Sequence, residues 1–131
     1  MRMRLLAVAL CLAPAWSAAQ TADAPAIERG RTLFEQHCAS CHGKTGRGDG
    51  PAAATLAIKP PDLTLMRHRN GAFLAAAVES AITGSNSAVV HRAPGMITWS
   101  AIFRAGARGN QAAGEARTRD LVAFIESIQE K

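Results

Sequence analysis

The chain has 131 residues, 15 Lys and Arg against 10 Asp and Glu, and 48% hydrophobic residues, the composition of one globular domain rather than of a disordered chain. No apolar run reaches the roughly 20 residues that a membrane-spanning helix needs, and three cysteines cannot all pair within one chain, which excludes a scaffold held by several disulfides. The cations are spread among glycine, alanine and acids with no cationic run interleaved with aromatics, so nucleic-acid binding has no support.

Residues 1–19 read as a Sec signal peptide that is removed: Arg2 and Arg4 make the basic start, Leu5 to Trp16 the apolar stretch, and Ser17, Ala18 and Ala19 the small residues a signal peptidase takes. A retained anchor is the competing reading, but the apolar stretch is short for one. Cys11 lies inside this segment behind the bulky Leu10, which suits a lipoprotein peptidase poorly. Removal takes two arginines and no acid, so the net charge of +5 falls by two. The positive residues at 67, 69, 92, 104, 108, 117 and 119 remain, either as a face that steers an acidic partner or as ordinary solvated arginines.

Residues 20–131 are expected to form one domain. Ile27, Gly30, Leu33, Phe34 and Cys38 fall near one face at helical spacing and predict a first helix over 26–37. Phe73, Leu74, Ala77, Val78, Ala81 and Ile82 predict a second over 73–82, with Asn70 as N-cap and Gly84 as its stop. Leu121, Val122, Phe124, Ile125 and Ile128 predict a third, capped by Thr118, with Asp120 favourable near the positive end of its dipole. A short helical turn is expected over 99–104. Nothing alternates like a strand, and 43–65 and 105–117, rich in Gly, Pro and polar residues, read as loops. Loops of that length are uncommon in a compact domain unless something organises them. The few aromatics, Phe34, Phe73, Trp99, Phe103 and Phe124, bury little area, so a large apolar cofactor would fill the gap.

Cys38-Ala39-Ser40-Cys41-His42 names that cofactor. Two thiols three residues apart can add to the two vinyl groups of one haem, and the adjacent histidine comes under the iron as the proximal ligand. The motif has two weaker readings. A structural zinc site usually adds a second Cys or His pair, and adjacent Cys41 and His42 are poorly placed on one tetrahedral ion. A dithiol redox motif expects a βαβ setting, whereas the flanks here are helix and glycine loop. Gly46, Gly48 and Gly50 are expected to turn tightly and approach the porphyrin edge. They do not resemble a phosphate loop, and neither paired catalytic carboxylates nor a Ser-His-Asp set can be argued.

The sequence resembles the class I c-type cytochromes, the small bacterial monohaem family, over residues 30–125. The motif carries most of the resemblance. Gly43-Lys44-Thr45-Gly46-Arg47-Gly48-Asp49-Gly50-Pro51, Lys59-Pro60-Pro61-Asp62-Leu63, the 91–99 segment around Met96, and Leu121-Val122-Ala123-Phe124-Ile125 carry the rest. It implies an all-α cytochrome c fold, three main helices and a short one packed around one covalent haem c, with Gly30 and Phe34 crossing Phe124. It implies that the carbonyl of Pro51 accepts the N–H of His42, and that Trp99 packs near the haem propionates, where its donor-only indole finds an acceptor; a plain core tryptophan is the alternative.

For the sixth ligand, Met66 reads as a loop hydrophobe and His68, between arginines, as solvated, which leaves His91 and Met96 beyond the second helix. The resemblance favours Met96, with histidine five residues before it and Trp99 three after. Ile97 and Ser100 depart from the Pro and Gly frequent there, which bears on loop geometry. The implied function is a periplasmic carrier of single electrons between redox partners, a donor dehydrogenase or oxidoreductase and an acceptor oxidase or cytochrome. The alternatives are a haem subunit of a periplasmic dehydrogenase and a ligand-sensing haem protein.

Overall fold

The computed structural model describes residues 23–85 and 98–131, which are helical and loop, with no strand among the described residues. The first helix, α1 (Ala24–His37), starts two residues earlier than expected. The Asp23 carbonyl accepts from Ala26 N and Ile27 N at 2.8 and 3.1 Å, and Pro25 sits in the first turn, where its missing N–H costs nothing. Cys38 caps α1 by donating its N–H to Phe34 O at 2.8 Å, and the chain continues into the single turn α2 (Ala39–His42). Two 3-10 turns, Ala53–Thr55 and Leu63–Leu65, lie within the stretch read as loop.

The next helices correct two of the expected caps. Asn70 ends α3 (Met66–Asn70) instead of starting a helix: its side chain donates to Met66 O at 3.0 Å, and Gly71 at φ 72° reverses the chain. The second apolar stripe therefore begins later, as α4 (Ala75–Thr83), with Val78 and Ile82 buried and Gly84 as its left-handed stop. After α5 (Trp99–Gly106), the last helix α6 (Gln111–Ser127) starts a full two turns before Thr118. Asn110 is its cap, its side chain accepting from Ala113 N at 3.0 Å, and Thr118 is buried in mid-helix with its hydroxyl donating to Gly114 O at 3.4 Å.

The frame is the crossing of α1 and α6. A methyl group on Gly30 would overlap the Asp120 carbonyl oxygen and lie 2.8 Å from Phe124 Cβ, so only glycine lets these backbones approach this closely. The Phe34 and Phe124 rings fill the space beside it, with centroids 5.2 Å apart, as expected. Arg29 forks onto Asp120 with Nε and Nη2 at 2.7 and 2.9 Å from its oxygens, and Arg31 lies over the Phe124 ring at 5.1 Å. The buried apolar set is small, chiefly Phe34, Phe103, Leu121, Phe124 and Ile125 with Val78 and Ile82 of α4.

Candidate functional site

The frame presents the Cys38–His42 turn at the C-terminal end of α1. Helical bonds from Cys41 N and His42 N to Cys38 O, at 3.1 and 2.9 Å, put both thiols and the imidazole on one turn. Cys38 and Cys41 are both half-buried free thiols. Burial, helped by Cys41, pushes the Cys38 thiol up to about 12, so it stays protonated at neutral pH. Among the described residues no three His, Cys, Asp or Glu side chains come together to hold a metal.

The glycine loop lies on the motif's own backbone, not on open space. Gly48 N donates to His42 O at 2.8 Å, Gly50 N to Cys41 O at 3.1 Å and Ala52 N to Ser40 O at 2.9 Å. Gly46 and Gly48 have φ of 80° and 76°, which a side chain would strain. A methyl on Gly50 would lie 2.6 Å from Ala39 O, and one on Gly48 would overlap Pro60 O. Close approach is the reason for these glycines: Gly48 and Gly50 approach peptide, whereas a methyl on Gly46 would lie 2.8 Å from Ile128 Cδ1.

This loop also moves the imidazole's partner. Where the resemblance pointed to the carbonyl of Pro51, the structure sets the Pro61 carbonyl facing His42 Nδ1, at 3.4 Å. The bonds from Gly50 and Ala52 hold exposed Pro51 along the motif's flank, while the 59–63 stretch crosses at the imidazole, tied in by Leu63 N to Gly46 O at 2.7 Å. Because a carbonyl only accepts, Nδ1 carries the proton there and the lone pair falls on Nε2, the nitrogen a metal would take. Asp62 braces the stretch: its Oδ1 accepts from Thr64 N at 2.8 Å and Thr64 Oγ1 at 2.6 Å, and its pKa is held below the usual carboxylate value chiefly by that hydroxyl.

Trp99 is half-buried against His37, with ring centroids 5.1 Å apart, and Phe103 at 6.0 Å. His37, immediately before Cys38, also meets Phe103 edge-on at 5.6 Å and was not singled out from sequence, where it shows only as a polar position on a helix. Met96 and His91 lie outside the described residues. The chain on either side of 86–97 meets: Ser100 Oγ donates to Thr83 O at 3.2 Å, and a methyl on Gly84 would lie 3.3 Å from Thr98 Cβ. Met66, expected as a loop hydrophobe, opens α3 and packs partly buried against the core, while His68 is exposed, in line with its expected role.

These residues fit a haem bound through thioethers: two free thiols on one turn, the adjacent imidazole with its Nδ1 facing a carbonyl, and large apolar side chains, Leu56, Ile58 and Leu74, that the protein alone leaves exposed. No curated protein and no solved structure matches the chain. A family model, cytochrome c, matches residues 27–129. Because that match runs from the first turn of α1 through the thiol turn to the end of α6, the chain belongs to the cytochrome c family.

Proposed function

We propose that this haem c electron-transfer protein is a periplasmic monohaem carrier, exported through the signal in residues 1–19 and moving single electrons between redox partner proteins. The observation that carries the reading is the turn that joins Cys38, Cys41 and His42 while His42 Nδ1 faces the Pro61 carbonyl. Bound there, haem c supplies an iron that alternates between ferric and ferrous states. Cys38 and Cys41 would hold it covalently, each thiol adding across one vinyl group, and His42 Nε2 would be the proximal ligand. The Pro61 carbonyl, by accepting the Nδ1 proton, fixes the ring and raises its basicity.

Met96 is the proposed distal ligand. It stands three residues before Trp99, a reach of at most roughly 11 Å of chain, and Trp99 is stacked on His37 beside the thiol turn. Its soft thioether would favour the reduced state of the iron. Trp99 would then offer its indole N–H to a propionate. Single-electron transfer calls for no general acid or base, and the chain's residues bind and orient the cofactor and keep water from it. Among the described residues no helix is long and apolar enough to cross a membrane.

The test is the purified protein made with a haem-attachment system. Its haem should survive denaturing electrophoresis and acid–acetone extraction, a redox titration should give a single one-electron wave, and the N-terminus should lie near Gln20. Complete extraction of the haem would overturn the assignment, and carbon monoxide binding to the native reduced form would favour a sensor.

A further inference from the structure

We propose that Gln129, just beyond α6, is a positioning residue for the proximal imidazole: it fixes the Pro61 carbonyl on His42 Nδ1 and so tunes the iron's potential. The inference rests on the functional reading above. Pro60 and Pro61 have no N–H, so the segment cannot be tied down through its own donors at the point where it meets His42. The direction of the Pro61 carbonyl is set by the peptide that follows it, and the next three residues are held from outside. Arg69 Nη2 donates to Asp62 O at 2.5 Å, Leu63 N donates to Gly46 O at 2.7 Å, and Glu130 N donates to Thr64 O at 2.9 Å.

The carbonyl of Leu63 goes to Gln129, and this amide is the joint of the arrangement. Its Nε2 donates to Leu63 O at 2.7 Å and to Ile125 O at 2.9 Å, while its Oε1 accepts from Arg67 N at 3.0 Å. Three bonds with fixed donor and acceptor roles set its orientation. Gln129 therefore ties both ends of the 63–67 stretch to α6, four residues past the buried Ile125. Since α6 crosses α1 at Gly30 and α1 carries the thiol turn, the links close a ring through His42, Pro61, Leu63, Gln129, α6 and α1. At 3.4 Å the Nδ1 bond stands at the long limit, where a few tenths of an ångström decide its strength. A brace on the acceptor has most effect at that distance.

The experiment uses the haem-loaded protein with Gln129→Met, which keeps length and loses all three bonds, and Arg29→Met as a control that removes the Arg29–Asp120 pair elsewhere on α6. Weakening the Nδ1 bond makes the imidazole a poorer donor to ferric iron. Gln129→Met should shift the midpoint potential upward and speed solvent exchange of the His42 ring N–H, followed by NMR of the reduced protein, by about fivefold or more. Arg29→Met should lower stability and leave both readings at the parent values. Where Gln129→Met does not accumulate, Gln129→Asn, one methylene shorter, should shift both readings in the same direction. A haem-loaded Gln129 variant with parent potential and parent exchange, or an equal shift in Arg29→Met, overturns the positioning role alone. Absence of covalent haem from the unsubstituted protein overturns the functional reading instead.

Discussion

Gly30→Ala tests the frame at its narrowest point. The added methyl would overlap the Asp120 carbonyl oxygen and lie 2.6 Å from its carbon and 2.8 Å from Phe124 Cβ, against the roughly 3.5–4.0 Å of ordinary contact between carbons. The nearest atoms are backbone in mid-helix, so no rotamer change relieves the overlap and α1 and α6 must part by on the order of 1 Å. Overpacking of this kind costs about 1–3 kcal/mol, and the rigid neighbour places it near the top of that range. Replacing glycine inside a helix returns about 1 kcal/mol. The net loss is about 2 kcal/mol, or about 8 °C in Tm at roughly 4 °C per kcal/mol for a domain of this size. Thermal unfolding of the haem-loaded protein, followed by far-UV circular dichroism, measures it. Gly71→Ala is the comparison, since Gly71 has φ 72° with no atom within 4 Å of the added methyl and should lose only the left-handed penalty of about 1–2 kcal/mol. A Gly30→Ala protein as stable as the parent would refute the close crossing.

Replacing Cys38 or Cys41 with alanine should sharply lower the yield of haem-loaded protein, read by haem stain after denaturing electrophoresis; an unchanged yield and stain would contradict thioether attachment at both. Met96→Ala should abolish the weak sulfur-to-iron charge-transfer band of the ferric protein, lower its potential and open the iron to added ligands. If the band and potential persist while His91→Ala removes a low-spin signal, the ligand pair is bis-histidine. The lowered pKa of Asp62 means that its ionised form stabilises the fold above its unfolded value of about 3.9, a contribution lost as pH falls through the lower folded value. Denaturant titrations should therefore show Asp62→Asn less stable than the parent near neutral pH, with the gap closing below about pH 4; a gap independent of pH would show that ionisation is not what Asp62 contributes.

What was legible in the sequence was local or carried by large side chains. The thiol turn is five consecutive residues, and Gly30, Phe34 and Phe124 announce the crossing because a missing Cβ and two rings are what a close contact requires. The carbonyl that faces His42 is not legible, since a backbone acceptor has no residue type of its own. Pro51 and Pro61 differ only in where the glycine turn sends them, and the bonds of Gly50 N and Ala52 N to the thiol turn decided that. The first turns of α6 are not legible because Gln111 to Arg117 carries no apolar stripe. A methyl on Gly114 would lie 3.2 Å from the Arg104 backbone, so that turn is held by absence of side chain. Asn70 and Thr118 have cap chemistry yet start no helix, because Gly71 ends one helix right after Asn70 and Asn110 starts the other well before Thr118.

The division of the chain explains why its own core can be so small. The largest fully buried side chains, Phe34, Phe103 and Leu121, all lie on helices of the α1, α5 and α6 assembly, which fixes the thiol turn from behind. Leu56, Ile58 and Leu74, on the segments leading to and from α3, remain exposed on the protein alone. Each would contribute about 25 cal/mol per Å² of apolar surface removed from water if the porphyrin covered it. Haem attachment and stability of the 53–85 region are then one process, and truncating Ile58 to alanine should cost stability in the haem-loaded protein while leaving the chain without haem almost unaffected. An equal loss in both forms would mean that Ile58 packs on protein, and that the cofactor sits elsewhere.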